Sequence, residues 1–394
     1  RVQNVGLKSM QFAELSLPPL SLYVHIPWCI RKCPYCDFNS HTTDKKIPEE
    51  EYLIALIKDL DTTLDHVQGR QLSSIFFGGG TPSLFSADTI GKIIQAAKLR
   101  IGFHAEIEIT LEANPGTFEQ EKFSAYRNQG VNRLSIGIQS FNDNQLKSLG
   151  RIHSSEQAIE AVKNARIAGF DNINLDLMHG LSGQNTAEAL NDLICAIKLD
   201  PTHISWYQLT IEPNTVFFNK PPILPTDIIL ESIQNKGGQL LLDAGYEQYE
   251  VSAYCKNNRK SVHNMNYWEF GDYLAIGAGA HGKISLPKEN RVIRIQKTRS
   301  PEDYLRREGS YVSASKDIDI KEMSLEFMMN ALRLSQGVDI RTYEDRTGLS
   351  VNQIEPVLRK LKEQKLIKNS REKICPTKKG HMFLNSTLEA FFEK

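Results

Sequence analysis

Three cysteines fall within eight residues of the segment Tyr23-Val-His-Ile-Pro-Trp-Cys29-Ile-Arg-Lys-Cys33-Pro-Tyr-Cys36-Asp-Phe38, giving the spacing C-x3-C-x2-C. With six cysteines in 394 residues, such a triplet arises by chance roughly once in a thousand chains of this composition. Soft thiolates gathered on one loop suit an iron–sulfur cluster or zinc better than a hard cation, and spacing alone does not choose between them. A structural zinc or an electron-transfer cluster takes a fourth ligand from the protein. Here Phe38 follows the triplet, and Cys195, Cys255 and Cys375 stand far off and read as small core residues. A metal position left open to a small molecule marks a reactive site, by analogy with catalytic zinc. The competing explanation is a zinc knuckle completed by His25 or His41.

Other groups recur at regular places along the chain. Gly78-Gly79-Gly80-Thr81-Pro82 brings bare backbone close to whatever lies above it, although taken alone it reads as a tight turn. Glu112, Gln139 and Asp176 each fall near the end of a strand-like run. One such residue is usually a cap or loop ligand, but a series at strand C-termini is where parallel α/β barrels collect their chemistry.

The elements that must position these groups are legible as runs and periods. β-Branched or aromatic runs at 20–26, 73–77, 105–111, 132–138, 172–177 and 203–211 read as six strands. Helical patterns separate them. The clearest is Ile90, Ile93, Ile94, Ala97, with Ser86 as N-cap. Intervals of about 27 to 53 residues between strand starts match βα units, and hence a parallel sheet, open or barrel-like. After the Pro-rich break at 219–225 come an amphipathic segment over 228–244 and short aromatic-rich pieces, expected to form an accessory β-containing lobe. From about residue 315, helices over 321–334 and 350–366, with a Ser350/Gln353 capping box, lead into a basic hairpin at 366–377, the outline of a winged helix. The expected division is therefore 1–215, 216–314 and 315–394.

Composition removes several classes. Hydrophobic residues make 40% and charged residues 24%, and no run approaches the length of a membrane span. Lys plus Arg and Asp plus Glu are both 47, so no global field draws the chain to nucleic acid or anionic lipid. Residues 355–380 hold nine Lys or Arg against three Glu. A DNA-reading wing would explain that, but so small an excess favours a solvated face. Sparse, clustered cysteines and the lack of an apolar signal core in Arg1–Pro19 give the expectation of a cytoplasmic protein.

The cysteine loop resembles that of the radical S-adenosylmethionine superfamily, in which the triplet holds a [4Fe-4S] cluster whose fourth iron is chelated by S-adenosylmethionine. The resemblance implies a partial (β/α)6 barrel with an accessory β-containing lobe and a winged-helix-like α domain. It makes Cys29, Cys33 and Cys36 the metal ligands, and assigns Tyr23, Tyr35, Gly79, Gly80, Thr81, Glu112, Gln139, Arg151 and Asp176 to the cofactor. That ligand is a zwitterion with a sulfonium, a ribose diol and an adenine, so it calls for anions, a cation and polar acceptors. Arg151 is the planar cation for its carboxylate.

Tyr-x-His-Ile-Pro-x-Cys, GGGTP, Glu-x-Asn-Pro and GIQS together resemble the branch holding the anaerobic coproporphyrinogen oxidases and the HemW-type haem chaperones. The oxidases carry a further cysteine where Phe38 stands. The chaperones carry HNxxYW, which His263-Asn-Met-Asn-Tyr-Trp268 reproduces. This resemblance implies haem binding at His263, with His281 of Gly-Ala-Gly-Ala-His281-Gly a weaker second candidate, and delivery to haem-accepting apoproteins. Whether those acceptors are membrane-associated, whether the chain is a homodimer and whether it is an enzyme are left open. The alternatives are oxygen-independent coproporphyrinogen III oxidation and, with less support, a DNA-binding iron–sulfur sensor.

Overall fold

The computed structural model describes residues 12–42, 46–116 and 119–392; the first eleven residues of the 1–19 stretch considered above lie outside them. All six anticipated strands form: β1 Leu20–Ile26, β2 Leu72–Gly79, β3 Phe103–Ala113, β4 Arg133–Gln139, β5 Ile173–His179 and β6 His203–Gln208. They pair in parallel in that order. The helices between them are α1 Glu49–Asp61, α2 Ala87–Arg100, α3 Glu119–Asn128, α4 Ser155–Ile167 and α5 Thr186–Lys198.

Local sequence sets these helices. Ser86 accepts the Thr89 N–H at 3.2 Å, and Ile90, Ile93, Ile94 and Ala97 of α2 are buried against the sheet. Ser154 with Gln157, and Asn185 with Glu188, close reciprocal capping boxes on α4 and α5. Every residue of β4 is buried, as expected for a central parallel strand covered on both faces.

The strands anticipated for an accessory β-containing lobe form, and they are continuous with this sheet. α6 Asp227–Asp243 is followed by β7 Glu247–Glu250 and β8 Ala253–Cys255, and β8 pairs with β6. After α7 Val262–Trp268, β9 Asp272–Ile276 pairs in parallel with the other edge, Leu20 opposite Asp272. β10 His281–Leu286, β11 Arg291–Lys297 and β12 Val312–Asp317 continue from it antiparallel. The result is one sheet of twelve strands.

Two buried acids, Asp59 and Asp272, fasten the added strands to the first half. Lys297 of β11 donates to Asp59 of α1, which also accepts from Tyr304 and from the Gly277 N–H. Lys283 of β10 lies 3.0 Å and Arg70 2.8 Å from Asp272.

The C-terminal segment has its own core, built from Phe327, Tyr343, Leu358 and Leu361, which also takes in Leu15, Phe270 and Val292. Its elements are α8 Met323–Ala331, α9 Ile340–Thr347 and α10 Glu355–Glu363, with Val338–Asp339 paired to Lys373–Ile374 and an Ile367–Pro376 bridge closing the wing. The helix expected over 350–366 is divided. Ser350 caps a 3-10 turn over Val351–Gln353, accepting from the Asn352 N–H, and α10 restarts with Pro356 in its first turn. Among the described residues no helix is long and apolar enough to cross a membrane.

Candidate functional site

The cysteine loop leaves the C-terminal end of β1 and is tied across the top of β2. Gly80 N–H donates to Ile26 O at 2.7 Å and Thr81 N–H to Trp28 O at 2.8 Å. Two positions there require glycine. Gly79 has φ +114°, and a Cβ on it would lie 2.5 Å from the His25 ring. On Gly80 a Cβ would lie 2.5 Å from Trp28 O. The far side of the loop is held by Phe217 N–H to Pro34 O at 3.0 Å and by a Cys36-to-Cys33 turn.

Under this loop a cavity of about 540 Å³ opens at the C-terminal ends of the parallel strands. Its lining brings together Cys29, Cys33, Cys36, Tyr35, Gly79, Gly80, Thr81, Glu112, Gln139, Arg151 and Asp176, residues spread over almost 150 positions of sequence. The three thiols are free and partly exposed. Burial and the neighbouring Cys33 push the Cys29 and Cys36 thiols up, with Cys36 adding to the effect at Cys29. Thr81 Oγ1 donates to Cys29 Sγ at 3.4 Å.

Beyond the thiols, the cavity sets buried acids near the Arg151 guanidinium. Burial, reinforced by Asp176, pushes the Glu112 carboxyl up to about 8; its Oε2 accepts the Gly79 N–H at 3.3 Å. Burial also raises Asp176, against the hydrogen bonds it accepts from Ser135 Oγ at 2.9 Å and Asn174 Nδ2 at 2.8 Å. Arg151 donates through Nη2 to Asn114 Oδ1 at 2.6 Å and to Gly137 O at 2.7 Å, and through Nη1 towards Cys33 Sγ at 3.8 Å. Its Nε is buried without a partner among the described residues. Gln139, in the left-handed region at φ +69°, accepts from Tyr207 at 2.8 Å. Strain in a non-glycine residue persists only where its surroundings hold it.

These groups fit the expected cofactors. A cluster binds each thiolate to a different iron corner, which asks for thiols sharing a cavity rather than one point. Among the described residues no three His, Cys, Asp or Glu side chains converge on a single metal-ion position. Two acids whose charged form burial disfavours are a ready counterpart for a cationic ligand, and a half-satisfied guanidinium for a carboxylate. The knuckle completed by His25 is contradicted, since both His25 nitrogens are engaged, Nε2 with Asn39 O at 2.8 Å and Nδ1 with Tyr23 at 3.0 Å.

Two expected residues stand elsewhere. Tyr23 faces a neighbouring cavity of about 490 Å³, which shares Asp37, Phe38, Gly79 and Glu112 with the first. His263 lines neither cavity. It is 2% exposed, its Nδ1 lies 2.9 Å from Ser74 Oγ, and its Nε2 is buried without a partner among the described residues. Its ring stacks on Phe76 at 5.0 Å and meets Tyr267 edge-on at 4.9 Å. Burial lowers its pKa to about 3.

Sequence reasoning passed over Asn114, Tyr207 and Arg133. Asn114 bridges Arg151 and Thr81, and Tyr207 sits near the end of β6, where the strand-end series already pointed. Arg133, 2% exposed and 3.9 Å from Glu108, lies at the start of its strand, a place that carried no signal.

Comparison with known proteins follows this geometry. The family described as Radical SAM superfamily matches residues 23–193, and that described as HemN C-terminal domain matches residues 318–383. The chain is 51% identical to "Heme chaperone HemW" of Haemophilus influenzae, over 95% of this chain and 98% of that one. It is 47% identical to "Heme chaperone HemW" of Escherichia coli, over 96% and 99%, and 33% identical to that of Bacillus subtilis, over 94% and 98%. In fold it is similar to the solved radical SAM enzyme coproporphyrinogen III oxidase (HemN) of Escherichia coli, with a TM-score of 0.79 at 22% identity, covering 95% of this chain and 90% of that one.

Proposed function

This chain belongs to the HemW-type family of radical S-adenosylmethionine proteins, and on that footing we propose that it is a haem chaperone. It binds haem, holds a [4Fe-4S] cluster and S-adenosylmethionine, and passes haem to haem-requiring apoproteins in the cytoplasm or at a membrane. The observation that carries this reading is likeness over almost the full length of both chains to proteins named as heme chaperones, 51% identical in one case.

In this reading Cys29, Cys33 and Cys36 hold the cluster, which with S-adenosylmethionine supplies one-electron chemistry when bound. Glu112 and Asp176 face the cofactor's positive groups. Arg151, fixed by Asn114 and Gly137 O, faces its carboxylate, and Gln139 and Tyr35 complete the wall. Residues 1–215 form the cofactor-binding unit, 216–314 the haem-side unit and 315–394 the winged-helix-like unit. Phe38 is 60% exposed on the wall between the two cavities. At the place where the oxidases carry another cysteine, its ring can pack on a ligand but cannot ligate or donate, which favours carriage over porphyrinogen oxidation.

The test is haem transfer. Haem-loaded chain, reconstituted anaerobically, is mixed with an apoprotein whose haem complex has a distinct spectrum. Transfer faster than haem loss to solvent, slowed in Cys33→Ala, supports the reading. Transfer no faster than spontaneous loss contradicts it, and anaerobic formation of protoporphyrinogen by the same sample would establish the oxidase instead.

A further inference from the structure

The second cavity is built between the cysteine loop and the added strands. Asn39, at the end of that loop, donates through Nδ2 to Ala278 O and to Arg299 O, both at 2.9 Å. Gly279, with φ +79°, leaves room for it, since a Cβ there would lie 2.2 Å from Asn39 Nδ2. At about 490 Å³ the cavity falls within the ~300–1,000 Å³ range of small-molecule sites.

Its lining has the chemistry of one ligand class. Phe38, Tyr267 and Tyr273 offer ring faces, with the two tyrosine rings 4.2 Å apart. Arg299 is an exposed cation on the rim, steadied by Nε donation to Asn39 Oδ1 at 3.3 Å. His281, the first residue of β10, is solvent-exposed; its ring Nε2 lies 3.4 Å from Gln296 Nε2. Burial and the neighbouring Arg294 and Arg299 lower its pKa, so at neutral pH it is the uncharged imidazole that ligates metal. Flat apolar faces, a cation and a reachable imidazole together suit an iron tetrapyrrole with acidic side chains.

Resting on the haem-carrier reading above, we propose that this cavity is where haem sits, with His281 as iron ligand and Arg299 facing a propionate. The HNxxYW signature then reaches the haem through Tyr267, which lines the cavity. His263 is a positioning residue that packs against the Tyr267 ring from inside the barrel, too deeply enclosed to meet a macrocycle. The two cavities share Asp37, Phe38, Gly79 and Glu112, so the haem and cofactor sites share a wall.

The experiment is titration of the full-length chain with ferric haem, followed by the Soret band and by electron paramagnetic resonance, for the wild type and for His281→Ala, Arg299→Ala and His263→Ala. The wild type is expected to show an imidazole-ligated spectrum. His281→Ala should lose that spectrum and bind at least ~10-fold more weakly. Arg299→Ala should bind severalfold more weakly at an unchanged band position, and His263→Ala should keep the imidazole signature in its folded fraction. The inference is overturned if His281→Ala has the wild-type spectrum and affinity, or if His263→Ala alone removes the imidazole signature. Wild-type protein that binds no haem would instead refute the carrier reading on which the inference rests.

Discussion

Glu112→Gln tests the electrostatics of the cofactor cavity. Burial holds the Glu112 carboxyl at about 8 against an ordinary 4.5, a difference of at most ~5 kcal/mol at ~1.4 kcal/mol per tenfold. Because the folded-state value is raised, the stability that the neutral acid contributes is fully present below 4.5 and is lost as pH rises to about 8. Urea unfolding of the ligand-free protein should therefore find the glutamine variant and the wild type equal near pH 4.5. The variant should gain steadily on the wild type up to pH 8 and no further beyond it. The same acid is ~90% protonated at pH 7, so a cationic ligand that favours the carboxylate must expel up to ~0.9 proton. Calorimetry of S-adenosylmethionine binding to the anaerobically reconstituted protein, in buffers of different ionisation enthalpy, reads that proton directly. Glu112→Gln should release correspondingly less. Equal proton release by the two proteins, together with a pH-independent stability difference, would refute a neutral Glu112 beneath the cofactor.

Arg151→Lys keeps the charge but loses the planar fork that spans Asn114 and Gly137 O. Losing ~1.5–3 kcal/mol of charged hydrogen bonding should weaken S-adenosylmethionine binding ~10- to 100-fold with no change in cluster content, as equilibrium binding would show. Gly79→Ala must place a Cβ 2.5 Å from the His25 ring at φ +114°. The backbone alone costs ~1–2 kcal/mol, so the unfolding free energy from urea titration should fall by more than that amount. Lys297→Met leaves Asp59 buried without its cation, and ~3–5 kcal/mol of stability should go with it. A Lys297→Met protein as stable as the wild type would mean that Asp59 is held by Tyr304 and the Gly277 N–H alone.

Much of this site was legible because its signals are local. The six parallel strands are short β-branched runs, each ended by glycine, proline or a polar residue. The clearest helix between them starts at Ser86, as read from the sequence, where a side chain replaces a missing backbone partner; Ser154 and Asn185 do the same for two others. The cysteine loop, Gly79–Gly80 and the strand-end Glu112, Gln139 and Asp176 then meet in one cavity, because a parallel sheet brings all its C-terminal ends to one face.

What escaped is non-local. Nothing near Asp272 announces that β9 will lie beside β1, with Asp272 opposite Leu20, so it was not legible that the strands of the accessory lobe extend the main sheet. Tyr23 alternates with its neighbours along β1, and only the assembled sheet shows which cavity it faces. His263 sits in a motif whose residue types suit haem, yet its place inside the barrel comes from packing on Phe76 and from the bond to Ser74, nearly two hundred positions away. Pro356 also ends the 3-10 turn and restarts a helix inside a stretch whose apolar spacing reads as continuous.

The central claim is that three thiols of one loop hold a cluster with one iron left for a small amino-acid-like ligand. Iron, sulfide and zinc analysis of anaerobically prepared protein, joined to electron paramagnetic resonance with and without S-adenosylmethionine, tests it most directly. The expected result is about four irons and four sulfides per chain, a signal of the reduced cluster that changes when S-adenosylmethionine is added, and loss of both in Cys29→Ala, Cys33→Ala or Cys36→Ala. Zinc in place of iron, or a cluster whose signal ignores S-adenosylmethionine, would contradict it.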